Sequence, residues 1–409
     1  MAVLPPLPEV ADRDGVTAWV ADHLGHLTLE GAAGVRAGGH RGGQRAADTA
    51  LATLDIDGYA RSRSTVLPPS RRGATGMSPY VRHGLVHLPE LWEAVADAPP
   101  GDRRRYRDEL LWQEYARHVY ARVGSGTRTP LRYQPSVPAV PPAWEDDMAC
   151  LAWVRDRLEA DGWLVNQTRM WWASHWSVRS GRDWREGEDG FFRHLLDGSR
   201  AANRLGWQWT VGAGTGRPYG FSRWQVEKRA PQLCRSCPLS AACPVQDWPD
   251  AAPGAHVTDG PLEHGSGPGA GPGPGPAAVE SSGVAEAVWL TAESLGDGDP
   301  ALAAHPDLPV VFVFDAPLLE RLRLSGKRLV FLAECLADLA ARRDVEVRLG
   351  PVPEELGRRR LAVTYAPVPG FARRGGLLDL AELHPWPWLE RPGTQRLTSF
   401  TAWRKGTRR

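Results

Sequence analysis

The chain has 409 residues, 42% of them hydrophobic and 24% charged, with 49 lysines and arginines against 48 aspartates and glutamates. That length supports two or three domains with cores of their own, and a net charge of +1 gives no overall pull toward nucleic acid or an anionic membrane. No run approaches the roughly 18 apolar residues of a membrane span, and the opening "MAVLPPLPEV" lacks the basic start and apolar stretch of a secretory leader, so a cytoplasmic protein without a membrane role is expected.

Residues 1–44 hold one helix-like run, "DGVTAWVADHLGHL", followed by a Gly-rich stretch, and read as an N-terminal extension. The local basic patches "LPPSRRGATG" and "GDRRRY" are the candidate contacts to a polyanion. The runs "YRDELLWQEYARHVYARV" and "DDMACLAWVRDRLEADGWL" repeat apolar residues at spacings of three and four, with acidic residues near their starts, which predicts helices. Strand-like runs are scarce here, so an all-helical domain is expected over 45–250. Residues 251–283 are rich in Gly and Pro and carry too little apolar surface to fold, which predicts a flexible linker spanning roughly 30 Å. Beyond it, "AEAVWLTA", "LPVVFVFD", "KRLVFLAECLADLAARR", "VEVRLG" and "RLAVTYAPV" alternate strand and helix patterns and predict a small parallel α/β domain over 284–409. The fold class is therefore multidomain, α followed by α/β.

Three of the five cysteines cluster in "LCRSCPLSAACPVQDWP" with the spacing C-x2-C-x5-C, which suits metal ligation in a reducing compartment better than a disulfide framework. Such sites usually want four ligands, and four thiolates could hold an iron-sulfur cluster or a structural zinc. Cys335, in "RLVFLAECLADL", sits on an apolar helical stripe and reads as a core residue. Eighteen tryptophans against eight phenylalanines suit core packing, stacking on a flat cofactor or base, or carrying electrons.

The stretches "GATGMSPYVRHG", "DELLWQEYARH", "NQTRMWWASHWSVRSGRDWREGEDGFF" and "LLDGSRAANRLGWQWTVGAGTGRPY" together resemble the flavin-binding domain of the photolyase and cryptochrome family, over roughly residues 40 to 220. The resemblance implies a helical FAD-binding domain followed by a small Rossmann-like α/β domain. It places Tyr59, Arg63, Thr75, Met77 and Ser78 around the phosphates and adenosine, where "ATGMSP" offers hydroxyls and backbone amides at a predicted helix start. Arg169 and Asp197 resemble the family's ion pair beside the isoalloxazine, and Asn203 stands where the family faces flavin N5. Glu109, Trp112, Asn166, Met170 and Trp209 match the positions that hold two stacked pyrimidines, while Gln167 departs from the arginine common in repair enzymes. Trp207 and Trp184 match two members of the electron relay. The third is open among Tyr133, Trp144 and a branch through Trp171, Trp172 and Trp176, and Trp163 reads as core packing.

The same cysteine spacing occurs in base-excision glycosylases, but their further cysteine seven residues upstream is Glu227 here. The iron-sulfur bacterial photolyases and cryptochromes take a first ligand from a helix far upstream, a position matched by Cys150. The resemblance thus implies a 4Fe-4S cluster on Cys150, Cys234, Cys237 and Cys243, with zinc as the alternative. In ordinary family members the α/β domain comes first. Here "AVWLTAESLGDGDPALAAH", "LPVVFVFD" and "TQRLTSFTAWRK" resemble it after the linker, so the chain looks circularly permuted. Its usual arginine-rich first-strand end is replaced by "TAESLGDGD", and no antenna chromophore is assigned. The activity implied is photolyase chemistry. Excited reduced flavin passes an electron to a cyclobutane pyrimidine dimer flipped out of ultraviolet-damaged DNA. The alternative is a cryptochrome-like photoreceptor signalling to a protein partner. A monomer is expected, and the choice between cyclobutane and (6-4) lesions stays open.

Overall fold

The computed structural model describes residues 2–136, 147–258, 260–262 and 271–407. The longest helix, Pro100–Val123, starts ahead of the predicted run because Pro100 occupies its first turn with Asp102, where no intrahelical N–H is lost and the dipole favours an acid. It ends at Gly124, whose φ of +57° would strain any side chain. Leu110, Leu111, Tyr115 and Val119 form its buried stripe. The second predicted run becomes Ala149–Asp161, closed by the left-handed Gly162. Shorter helices Asn166–Ala173, Trp184–His194 and Ala202–Thr210 follow, the first running on through a π-helical turn at Ser174–Arg179.

Nine strands are present among the described residues: β1 Ala2–Val3, β2 Tyr133–Gln134, β3 Ala255–His256, β4 Glu280–Ser281, β5 Ala287–Leu290, β6 Val310–Asp315, β7 Val345–Gly350, β8 Leu361–Thr364 and β9 Leu380–His384. Seven of them form a sheet in the order β1-β7-β6-β5-β8-β9-β4. The five central strands are parallel and the two edges antiparallel. β5, β6 and β8 are buried on both faces, which explains their unbroken apolar runs. β9 and the two edge strands carried no clear apolar pattern, since their pairing is set by neighbours rather than by their own side chains.

The helix Gly326–Ala340 joins the two halves. Its residues are buried almost all round, including four charged ones. Each of these has partners: Glu334 accepts from Arg13 at 2.8 Å and from the Gly42 N–H at 2.7 Å, Asp338 accepts from Arg45 at 2.6 Å, Lys327 meets His194 at 3.1 Å, and Arg328 donates to the Phe192 and Gly198 carbonyls. Buried charges persist only when paired in this way. Cys335 is buried on the same helix, as its apolar stripe suggested.

Three expectations about the chain's organisation change. Residues 1–44 are no appendage: β1 pairs with β7 and the helix Arg13–Leu24 packs on Gly326–Ala340. The segment expected as a free linker is tied down over its described part. Tyr365 donates to the carbonyls of Pro272 and Gly273, Trp388 to Pro274, and Arg391 to Pro276 and Gly275. Gly and Pro bury little of their own surface, but their exposed carbonyls can be ordered by donors from elsewhere. The helical region is also not wholly helical, because β2 pairs with β3.

Glu114 on the long helix gives a pH prediction. Its side chain is fully buried, and burial pushes its pKa up to about 7 against the pull of Arg117 and the Glu390 and Leu389 N–H groups. A carboxyl raised on folding stabilises at low pH and loses that contribution as pH rises from 4.5 through about 7. Glu114→Gln should therefore flatten the pH dependence of stability in that window, by about 3 kcal/mol at most. Urea unfolding of both proteins at pH 5 and pH 8 checks this; parallel shifts would refute it.

Candidate functional site

A cavity of about 1250 Å³ opens between the helical half and the carboxyl ends of β5 and β6. It reaches the loop after β8, so it lies at the point where the strand order reverses, a common ligand position in open α/β sheets. Twelve arginines and four carboxylates line it among the described residues. Glu114, Glu188 and Asp189 behind the wall compensate some of that charge, and cations still predominate. Such a lining suits a pyrophosphate or another polyanion.

All eight residues expected at the cofactor line this cavity: Tyr59, Arg63, Thr75, Met77, Ser78, Arg169, Asp197 and Asn203. The turn before the helix Ser78–Arg82 is possible because Gly76 has φ +72°, which lets Thr75 and Met77 both border the cavity. Thr75 hydrogen-bonds Tyr106, and Tyr106 sits edge-on against Tyr59 at 5.1 Å. Arg169 grips Asp197 with two hydrogen bonds, 3.1 and 2.8 Å, and donates to the Leu164 carbonyl at 3.0 Å. Burial alone would raise the Asp197 carboxyl; Arg169, Ser78 and His40 outweigh it and hold the group below the usual range. Asn203 donates to the Glu188 carbonyl at 3.2 Å and to its carboxylate at 3.1 Å, and the same carboxylate pairs with Arg200 and Arg204.

The five residues expected at a lesion line the same cavity: Glu109, Trp112, Asn166, Met170 and Trp209. Arg63 reaches Glu109 at 3.3 Å, linking the two groups of residues. Phe400, from the C-terminal helix Phe400–Lys405, stacks on Trp112 with centroids 4.7 Å apart, so the indole is backed on one face. Asn166 and Met170 stand one turn apart with an N–H to sulfur contact of 3.7 Å. Gln167 also borders the cavity, and its amide donates to the Tyr219 hydroxyl at 2.9 Å; Tyr219 in turn lies against Trp209.

The tryptophans separate. Trp207 lines the cavity, is 2% exposed, and its indole N–H has no hydrogen-bond partner among the described residues. Trp184 is equally buried but does not reach the cavity; Arg185 lies over its ring at 4.9 Å. A Cβ on Gly187 would come within 2.2 Å of Trp207 and 3.0 Å of Trp176, so both rings close on this glycine, and Trp172 stacks on Trp176 at 6.2 Å. Trp144 lies outside the described residues. Trp163 donates to Ser78 at 3.0 Å and borders the cavity, which corrects its reading as plain core packing. Gly187→Ala should push the two rings apart and lower stability by about 1–3 kcal/mol. Thermal unfolding with tryptophan fluorescence checks it, and an unchanged spectrum and midpoint would contradict the contact.

Cys150, Cys234, Cys237 and Cys243 line one small separate cavity, with Arg223 among its walls. Cys150 stands in the first turn of Ala149–Asp161, and the others come from the short helix Pro231–Arg235 and the turns after it. Burial and the neighbouring thiols push the Cys150 thiol up, and burial together with Glu227 pushes Cys234 up to about 11. A bound cation would reverse both shifts. Among the described residues no three of these sulfurs lie within 4.8 Å of one another. Sulfurs around a tetrahedral zinc stand about 3.8 Å apart, given Zn–S bonds near 2.3 Å.

Sequence reasoning missed one group altogether. His305, Glu382 and His384 bring their side chains together beside β9. Two of them form an E-x-H pair on one strand face, a signal that was present but lay in an unrecognised strand.

The fold and cavity define a protein with a cationic, aromatic-walled cleft set between a helical body and a parallel sheet. Residues 106–229 match the family described as the FAD binding domain of DNA photolyase. The chain is 30% identical over 167 residues to a deoxyribodipyrimidine photo-lyase of Synechococcus, covering 36% of this chain and 34% of that one. It is 33% identical over 171 residues to a deoxyribodipyrimidine photo-lyase of Thermus thermophilus, covering 38% and 39%. The matched part thus spans little more than a third of these relatives' length. Among solved structures, a bacterial class III photolyase from Agrobacterium tumefaciens aligns with TM-score 0.35 at 23% identity, covering 47% of this chain and 44% of that one. A Synechocystis cryptochrome aligns with TM-score 0.39 at 20% identity and the same coverage. No helix among the described residues is long and apolar enough to cross a membrane.

Proposed function

We propose that the chain is a flavin-dependent, blue-light-driven enzyme that splits cyclobutane pyrimidine dimers in ultraviolet-damaged DNA. The observation that carries this is the convergence on one cavity of the two residue sets that the resemblance implies, one for FAD and one for a pyrimidine pair. When bound, reduced FAD supplies one electron under blue light and recovers it after the ring opens. Arg63 and the Thr75–Ser78 turn would hold its phosphates. The Arg169–Asp197 pair, fixed by Leu164 and Ser78, would border its ring, with Asn203 held in place by Glu188.

On the substrate side, Trp112 offers a flat apolar wall held rigid by Phe400, and Met170 and Trp209 add walls that exclude water. Glu109 and Asn166 would read the polar edges of the two pyrimidines, which must leave the helical stack to reach them. The relay to the surface would start at Trp207 and pass to Trp184, while Trp176, which closes on the same Gly187, and Trp172 stacked on it offer another branch. Cys150, Cys234, Cys237 and Cys243 would hold a 4Fe-4S cluster, with zinc as the alternative, a reading supported by their convergence on one small cavity. The parallel order β7-β6-β5-β8-β9 after the helical half supports a permuted arrangement of the family's two domains. The photoreceptor alternative draws on Gln167, which is engaged with Tyr219 and supplies no cation for DNA.

The test is blue-light repair of an oligonucleotide carrying one thymine dimer, using protein shown to hold reduced flavin, with a dark control. Light-dependent restoration of both thymines is expected, with Trp112→Ala at least about tenfold slower from the loss of a stacking wall. No repair by flavin-loaded protein would reject the enzyme and leave the photoreceptor.

A further inference from the structure

Glu382 and His384 lie two residues apart on β9 and so share one face of the sheet. The helix Pro300–Ala304 packs across β8 and β9 and delivers His305 to that face. The His305 Nε2 donates to Glu382 Oε2 at 2.7 Å and the His384 Nε2 donates to the same oxygen at 3.1 Å. All three groups lie within 4.8 Å of one another. The backbones behind them are fixed: the Tyr365 N–H donates to the His384 carbonyl at 2.9 Å, and Arg343 donates to the carbonyls of His305, Leu302 and Leu308.

Two imidazoles and a carboxylate converging from two elements form the nitrogen and oxygen donor set preferred by borderline divalent ions. Around a tetrahedral ion with bonds of about 2.0–2.1 Å, donors stand about 3.3 Å apart. A few tenths of an ångström of outward movement by the carboxylate would open that space. The His305 and Glu382 side chains are 21% and 18% exposed, so water can complete the shell, while His384 at 5% anchors the site from below.

We propose that His305, Glu382 and His384 bind a divalent transition-metal ion of the zinc type. The ion staples the segment between the helix Pro300–Ala304 and β6 to β9, near the β4 edge of the sheet. Neither the large cavity nor the cysteine cavity includes these residues, so the site is separate from both and its role is structural.

The full-length protein, stripped of loosely held ions by a chelator, is titrated with cobalt(II) and then zinc. One equivalent of cobalt should give visible ligand-field bands typical of nitrogen and oxygen donors, without the near-ultraviolet band of thiolates, and zinc should displace it. His305→Ala and Glu382→Gln should each weaken binding at least about tenfold, whereas Cys234→Ser should leave these bands unchanged. Zinc should also raise the melting temperature of the parent protein and not of His305→Ala. Bands that persist in both site variants, or that vanish with Cys234→Ser alone, would overturn the site. If a variant fails to fold, crystals of the parent soaked in zinc decide: an anomalous peak among the three side chains is required, and its absence rejects the proposal.

Discussion

Asp197→Ala should yield protein that retains almost no flavin after purification and is destabilised by about 3 kcal/mol. The side chain of Asp197 is 7% exposed and that of Arg169 21%, so removing the carboxylate leaves a guanidinium facing the cavity with only the Leu164 carbonyl and partial solvent to satisfy it. That penalty is larger than the net worth of the pair, because a buried cation without its partner keeps its desolvation cost. Asp197→Asn, which keeps shape and one acceptor, should fall between the two. The ratio of flavin absorbance to protein absorbance is the readout, and full retention by Asp197→Ala would remove this pair from the cofactor site. The same pair sets an acid limit. A carboxyl held below its ordinary value stabilises above 3.8 and loses that contribution only as pH falls further, so flavin should be retained at mild acidity.

Cys150→Ser should abolish the metal content of the cysteine group and lower the melting temperature by about 10 °C. Cys150 enters from the helix Ala149–Asp161, whereas Cys234, Cys237 and Cys243 come from a segment over eighty residues later with little regular structure of its own. The two parts touch through Leu151, Val154, Val226 and Leu233, a modest core for holding the turns from 236 to 246. A metal bridge across that separation would contribute much of the order there. Iron and acid-labile sulfide in equal amounts in the parent protein, both lost in Cys150→Ser, are the expected result. Zinc in place of iron would overturn the cluster, and iron unchanged in Cys150→Ser would overturn the distant ligand.

Some of this was written locally in the chain. The helix Pro100–Val123 follows from apolar spacing and a proline start, β6 from a continuous apolar run and β7 from alternation of apolar and charged residues. The cofactor and lesion residues were named from motifs, and every one of them borders the cavity, whereas Trp184 in the relay set does not. Its spacing from Trp207 says how many residues intervene, whereas only the fold shows that Trp207 and Trp176 both close on Gly187. Composition misjudged residues 271–276, because a glycine and proline segment has no apolar side chains to declare where it packs. Its order comes from Tyr365, Trp388 and Arg391, which donate to its carbonyls.

The sequence by itself determined the helical and α/β halves and the flavin-domain segment, because periodicity and motif spacing are local properties. Tertiary structure alone decided three things: that residues 1–44 complete the sheet and its flanking helix, that the cavity spans both halves, and that His305 meets Glu382 and His384. Each depends on strand order and on which faces of distant elements meet. Those are set by burying the whole apolar surface at once, and no window of residues contains that information.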